Sequence, residues 1–362
     1  MKLVHVIGAR PNFMKVAPVL KALAQHAGVE QILVHTGQHY DKEMSDIFFV
    51  QLGLPQPDIN LAVGSGSHAV QTAQVMMKFE EVLLNTRPDL VIVYGDVNST
   101  VAAALVSAKL HIPVSHVEAG LRSFDRTMPE EINRLVTDQI ADLLFTPSRD
   151  GDENLLREGI PTQRIYCVGN VMIDTLMQLL PTAQARWAQL QAEMGIERYA
   201  LVTLHRPSNV DNPETLACIL ETLGNISARL PVVFPVHPRT RAQIEAKHLA
   251  HLTNQIHLTR PFGYLDFLAL EAHAQVVITD SGGVQEETTY LRIPCLTLRA
   301  NTERPVTVTE GTNILVGQDM AKLHHEVAQI LNGQAKVGQI PALWDGAAGQ
   351  RIADVIVEKF SG

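Results

Sequence analysis

Residues 90–118 read LVIVYGDVNSTVAAALVSAKLHIPVSHVE. An apolar run of strand length, LVIVYG, leads into the helical pattern TVAAALVSAKLH, and a second apolar run, PVSHVEA, follows. Runs without polar alternation suit strands buried on both faces of a parallel sheet. Parallel neighbours need a long crossover between them, which a helix supplies. The segment is therefore a βαβ unit, and the same alternation extends to both sides of it. Upstream, KLVHVIG and EQILVHT flank the helical stretch MKVAPVLKALAQH; downstream come helical EEINRLVTDQIADLL and the strands LLFTP and RIYCVG. After Gly169 follow a helix and an Ala/Gln-rich stretch, PTAQARWAQLQAEMG, and then a second series: YALVTLH, VVFPVH, QIHLTR, QVVITD, PCLTLR and NILVG. This pattern predicts an α/β fold of two Rossmann-like domains with parallel sheets, facing a cleft. We expect residues 1–169 to form the first domain and 170–346 the second, with a terminal helix, 347–362, packing back on the first. The length of 362 residues agrees, since domains average about 150 residues.

Composition excludes several classes. A formal net charge of −9 without a basic tract argues against a nucleic-acid partner. No apolar run approaches the roughly 18 residues of a membrane span, so no membrane partner is expected. The opening MKLVHVIGARP is too short in its apolar part for a signal peptide and reads as a first strand. Cys167, Cys218 and Cys295 are odd in number and far apart, with neither CxxC nor HExxH in the chain. That pattern predicts no disulfide framework, no metal site and a cytoplasmic setting.

Ligands of open α/β sheets bind beyond the carboxyl ends of the strands. There the first half offers Arg10, Lys15, Asp96 and Glu118, with Glu130 at a following helix start; the second offers His205, Ser281, Gly282, Gly283 and Arg304. Ser281-Gly282-Gly283 opens a helix, where backbone N–H groups and the helix dipole favour an anion; the alternative is a plain turn with Ser281 as N-cap. Glu287, one turn on, is placed to accept from a ribose, and with Arg304 it points to a nucleoside diphosphate. Lys15 opposes the dipole of the first helix, which implies an anionic partner or a solvated surface lysine. Three carboxylates, Asp96, Glu118 and Glu130, would repel one another if they converged, which suits acid/base work. His205 could face a phosphate or bond a neighbouring backbone. Gly64-Ser65-Gly66-Ser67-His68-Ala69 imitates a dinucleotide fingerprint, but it is not in the first βα turn, and no tyrosine begins a YxxxK pair. A nicotinamide cofactor is not expected.

These residues carry a resemblance. GARPNFMKVAPV, TGQHYDKEMSD, YGDVNST, HVEAGLRSFDRTMPEEINR, GNVMID, VTLHRPSNVD, FPVHPRT, GYLDFL, TDSGGVQEE and TERPVTVTEGTN follow one another from Gly8 to Asn313. In order and spacing the chain resembles the non-hydrolysing UDP-N-acetylglucosamine 2-epimerases, whose two-domain fold is called GT-B. The resemblance implies interconversion of UDP-GlcNAc and UDP-ManNAc through elimination of UDP to a 2-acetamidoglucal and re-addition, with no redox cofactor or metal, in a homodimer serving cell-surface polysaccharide synthesis. It implies acid/base roles for Asp96, Glu118 and Glu130, and a place near the diphosphate or reaction centre for Arg10, Lys15 and His205. Ser281, Gly282 and Gly283 match the phosphate turn, Glu287 the ribose contact, Phe262 and Phe267 the uracil-side loop, and Arg304 a residue lining the substrate. Tyr40 stands where many bacterial members carry Arg in an allosteric segment. GQHYD and SFDRTMPEEINR also occur in a sister group acting on UDP-2,3-diacetamido-2,3-dideoxyglucuronate. A hydrolysing epimerase or a GT-B glycosyltransferase is a further alternative.

Overall fold

The computed structural model describes residues 1–37 and 51–360, without the side chain of Arg10. Gln38, His39 and Tyr40 lie outside the described residues. The chain divides into two compact units, one of Met1–Thr175 with Ala342–Gly362, the other of Leu176–Pro341.

In the first unit the strands β1 (Lys2–Ile7), β2 (Glu30–His35), β3 (Ile59–Asn60), β4 (Leu90–Tyr94), β5 (Val114–Val117), β6 (Leu143–Thr146) and β7 (Ile165–Cys167) form one parallel sheet in the order β3-β2-β1-β4-β5-β6-β7. Val4 pairs with Ile32 on one side and Val91 on the other, and Tyr94 with Val117. β4 is buried along its whole length, as an uninterrupted apolar run between helical layers must be. The chain builds outward from β1 and then returns to its other side at β4, so a topological switch point lies between these two strands. The helix Arg10–Leu23 opens there, with Pro11 in its first turn, where a missing N–H costs nothing.

The second unit repeats the plan with β8 (Ala200–Thr203), β9 (Val232–Pro235), β10 (His257–Thr259), β11 (Val276–Thr279), β12 (Cys295–Thr297) and β13 (Asn313–Leu315), all parallel, in the order β10-β9-β8-β11-β12-β13. Its switch point lies between β8 and β11. The Ala/Gln-rich stretch is not a separate segment: Val171–Met194 is one helix that contains Pro181 and runs from one unit into the other.

The last helix, Ala348–Phe360, packs on Arg10–Leu23 within the first unit. Buried Asp174 accepts from the Ala348 and Gly349 N–H groups at 3.2 and 2.7 Å, which satisfies two donors at that helix start. A Cβ at Gly349 would meet the Pro18 carbonyl oxygen at 2.7 Å, so glycine permits the close approach. Trp344 Nε1 donates to the Pro147 carbonyl at 3.0 Å. The fingerprint-like Gly64–Ala69 follows edge strand β3, away from the switch point, and Ser67 there caps the helix His68–Thr86.

Candidate active site

The first unit gathers ionisable residues at the carboxyl ends of β1, β4 and β5. Asn12 ties the first βα turn: its Oδ1 accepts from the Gly8 and Ala9 N–H groups at 3.1 and 3.0 Å, and its Nδ2 donates to the Tyr94 carbonyl at 2.9 Å. One turn along the same helix, Lys15 is buried and its ammonium donates to Glu118 Oε2. Both side chains are less than a tenth exposed. The solvated-surface alternative for Lys15 is thereby overturned; its counter-ion is a carboxylate of the protein. Gly95, just after β4, makes room, since a Cβ there would stand 2.6 Å from Lys15 Nζ and 3.2 Å from Glu118 Oε2.

Glu118 follows β5 with φ +76, a left-handed conformation that a non-glycine residue adopts at a cost of about 1–3 kcal/mol. Its N–H and that of Ala119 both donate to the Phe145 carbonyl at 3.0 Å. Behind it lies His116, wholly buried, with Nε2 at 2.8 Å from the Gly95 carbonyl and Nδ1 at 2.6 Å from Asp138. Burial alone would raise the Asp138 carboxyl, but His116 and Arg122 outweigh it and hold it below the usual carboxylate range.

Asp96 is half-buried and pairs with Nη1 of Arg134, whose Nη2 meets Glu131 at 2.6 Å. Asn133 donates to the Asp96 carbonyl at 2.8 Å. Both Arg134 and Asn133 come from the helix Pro129–Ile140. Glu131 also accepts from the Ser123 and Phe124 N–H groups at 3.0 and 2.9 Å. Burial would raise this carboxyl too, and these donors with Arg134 hold it down. Repulsion among the three carboxylates would thus be offset at two of them. Asp96 and Glu118 each have a cation, and Glu131, not Glu130, is joined to Asp96 through Arg134. Glu130 is half-buried in the first turn of its helix and makes no ion pair or hydrogen bond among the described residues.

The second unit places its polar residues around buried Asp280, just after β11. Asp280 accepts from the N–H groups of His205 and Arg206 at 3.0 and 2.9 Å and from Asn209 Nδ2 at 3.0 Å. The His205 ring, two-fifths exposed, lies with Nδ1 at 3.2 Å from the same carboxylate. Burial would raise Asp280; these donors outweigh it and hold it low. The β8 and β11 ends are thus clamped together at the switch point, and His205 bonds a side-chain carboxylate instead of a neighbouring backbone.

Ser281 occupies the N-cap position of the helix Gly282–Leu291, but its hydroxyl makes no capping bond. Gly282 and Gly283 open that helix. A Cβ on Gly282 would fall against the Arg304 guanidinium and stand 2.7 Å from Glu303 Oε1. Arg304 is buried and bridges Glu303 at 2.5 Å and Glu286 at 3.0 Å; Arg299 reaches Glu303 at 2.6 Å. Burial would raise Glu303, and Arg304 and Arg299 instead drive it far down. Glu287 is buried and accepts from the Tyr264 hydroxyl at 2.7 Å. Phe262 and Phe267 are partly buried against the cluster that contains Tyr199, Leu201 and Val284.

The Arg10 side chain lies outside the described residues. Arg134, Asp138, Asp280 and Glu303 were not singled out for roles by sequence, although each lies inside or beside a quoted motif. Among the described residues no group of three or more His, Cys, Asp or Glu is placed to hold a metal ion, and no helix is long and apolar enough to cross a membrane.

Known proteins match this arrangement. A homologue of UDP-N-acetylglucosamine 2-epimerase from Methanococcus maripaludis is 47% identical over 91% of this chain and 92% of its own. The UDP-2,3-diacetamido-2,3-dideoxy-D-glucuronate 2-epimerase of Pseudomonas aeruginosa is 45% identical over 88% of each. The crystal structure of Methanocaldococcus jannaschii UDP-GlcNAc 2-epimerase in complex with UDP-GlcNAc and UDP superposes with a TM-score of 0.91 at 44% identity, covering 99% of this chain and 100% of that one. The family model for UDP-N-acetylglucosamine 2-epimerase matches residues 21–357, and the chain belongs to that family.

Proposed function

We propose that this chain is an isomerase, a non-hydrolysing UDP-N-acetylglucosamine 2-epimerase interconverting UDP-GlcNAc and UDP-ManNAc. The observation that carries this most is Glu118, held in a left-handed backbone conformation with its carboxylate against buried Lys15. Such strain is retained where a side chain must point to one place. C2 of the sugar is not α to a carbonyl, so its proton becomes labile only once the C1–O bond to UDP breaks and an oxocarbenium-like centre forms. The C1–O electron pair leaves with UDP, and loss of the C2 proton gives the 2-acetamidoglucal. Return of a proton to the opposite face, with re-addition of UDP, inverts C2. Two proton transfers on two faces need more than one acid/base group, and Asp96, Glu118 and Glu130 are the candidates. Glu130, free of partners among the described residues, suits exchange of a proton on one face, and Glu118, fixed in place beside Lys15, would serve the other; Asp96, ion-paired, suits holding negative charge beside the cationic sugar. Lys15, His205, Arg10 and Arg304 would stabilise the departing diphosphate, with Ser281, Gly282 and Gly283 as its backbone cradle. Glu287 would take the ribose, and Phe262 and Phe267 the uracil side.

The similarity to the Pseudomonas aeruginosa enzyme supports a second substrate, UDP-2,3-diacetamido-2,3-dideoxyglucuronate, for the same chemistry. Chromatography of reactions started with each sugar nucleotide decides between them. UDP-ManNAc from UDP-GlcNAc supports the first reading. Free ManNAc with UDP would point to the hydrolysing class, and turnover of the uronate alone would transfer the assignment. The chain is proposed to act in the cytoplasm as a homodimer. Val70, Met77 and Leu84, 49%, 70% and 58% exposed, recur every seven residues on the helix His68–Thr86 and would offer a second copy an apolar seam. Met77→Glu should give a monomer in sedimentation, and an unchanged sedimentation coefficient would remove the seam.

A further inference from the structure

Two carboxyls lie together in the interior of the second unit. Glu271, on the helix Tyr264–His273, is fully buried, and Glu287 on the next helix is 4% exposed. Tyr264 Oη donates to Glu287 Oε1 at 2.7 Å. Glu271 lies within hydrogen-bonding reach of Glu287, yet neither of its oxygens receives a donor. No Lys, Arg or His pairs with either carboxyl among the described residues. The other titratable groups nearby are Tyr264 on the same helix as Glu271, the Cys295 thiol of β12, which faces Glu271, and Glu286, which turns to Arg304.

Two carboxyls can bond only if one keeps its proton, and two bare charges without a cation would be prohibitive at this depth. Burial and the neighbouring Glu287 push Glu271 well above the carboxylate range, so it is the protonated partner. Burial also raises Glu287, but hydrogen bonds from Tyr264 and Glu271 restrain it to about 7.

We propose that Glu271 is a positioning residue of the nucleotide site, which donates a carboxylic-acid hydrogen bond to Glu287 and, with Tyr264, turns the rest of that carboxylate toward the ribose diol. This role rests on Glu287 being the ribose contact of the function proposed above. A carboxylate offers about four lone-pair sites. Tyr264 and Glu271 occupy one each, and two remain for the two hydroxyls of a ribose. The diol needs an ionised acceptor, so nucleotide affinity should rise as pH passes upward through about 7.

Calorimetric titration of UDP into the full chain on both sides of neutral pH tests this, with KM and kcat measured alongside. Glu271→Leu deletes the donor and should weaken UDP by roughly tenfold, the worth of one charge-assisted hydrogen bond, and move the affinity midpoint to higher pH. KM should follow while kcat holds. Tyr264→Phe should shift the midpoint in the same direction, and Glu271→Gln, which keeps a neutral donor, should rescue both affinity and midpoint. Equal losses in Glu271→Gln and Glu271→Leu, or a Glu271→Leu profile identical to wild type, would overturn the role of Glu271 alone. Undiminished UDP affinity in Glu287→Gln would overturn the ribose assignment and, with it, this role.

Discussion

Glu118 and Lys15 form a buried ion pair in which each charge is tolerable only because the other is present. Lys15→Met should therefore destabilise the protein by about 3–5 kcal/mol in urea titration, since it leaves Glu118 buried without a cation. The double variant Lys15→Met, Glu118→Gln should recover much of that loss, and strictly additive losses would contradict the pairing. Sequence made Asp96 and Glu118 visible because both stand just past apolar strands. It could not pair them with cations: Arg134 reaches Asp96 from a helix turn 38 residues on, and Lys15 reaches Glu118 across 103. Glu271 was illegible for a different reason. In YLDFLALEAH it lies three residues beyond Leu268 on the apolar face, where a lone acid reads as an exposed exception unless the burial of that face is known.

At the scale of elements, each sheet folds back at a switch point, and a tight βα turn follows. Among the described residues the twelve longer strands all correspond to apolar runs in the sequence, because parallel strands covered on both faces leave no room for polar alternation. Among the described residues only β3, two residues long, lacks a run of strand length. Helix bounds were less legible: Val171–Met194 continues through Pro181 and the polar stretch beyond it. The turn into Gly282–Leu291 is the element on which the anion reading depends. Gly282→Ala would drive a methyl group into Arg304 and Glu303 and should weaken UDP binding at least tenfold in calorimetry while the protein still folds. Gly224→Ala, inside the helix Pro213–Ser227 where an added Cβ meets nothing closer than 3.8 Å, is the control and should bind normally. Comparable affinities for the two variants would contradict the turn as the anion cradle.

At the scale of the whole molecule, opposing titrations set a pH window for stability. Glu131 and Asp138 in the first unit and Asp280 and Glu303 in the second are held below their ordinary values in the fold. The stability they contribute is present above a pH of about 4 and is lost as pH falls through their folded values. Asp174, Glu271 and Glu287 are raised, so their contribution is present in acid and fades as pH rises, for Glu287 up to about 7. Urea midpoints should peak on the acid side of neutrality, and Glu271→Leu should lessen the decline above the peak. A midpoint that rises steadily with pH would contradict the raised pair. The central claim is chemical, that carboxylates of the first unit exchange the proton at C2 of a UDP-sugar. Proton NMR of UDP-GlcNAc with the protein in D2O tests it most directly. The account predicts deuterium at C2 of both UDP-GlcNAc and UDP-ManNAc, with at least a hundredfold slower wash-in for Glu118→Gln; epimerisation without deuterium at C2, or wash-in unchanged by that substitution, would contradict it.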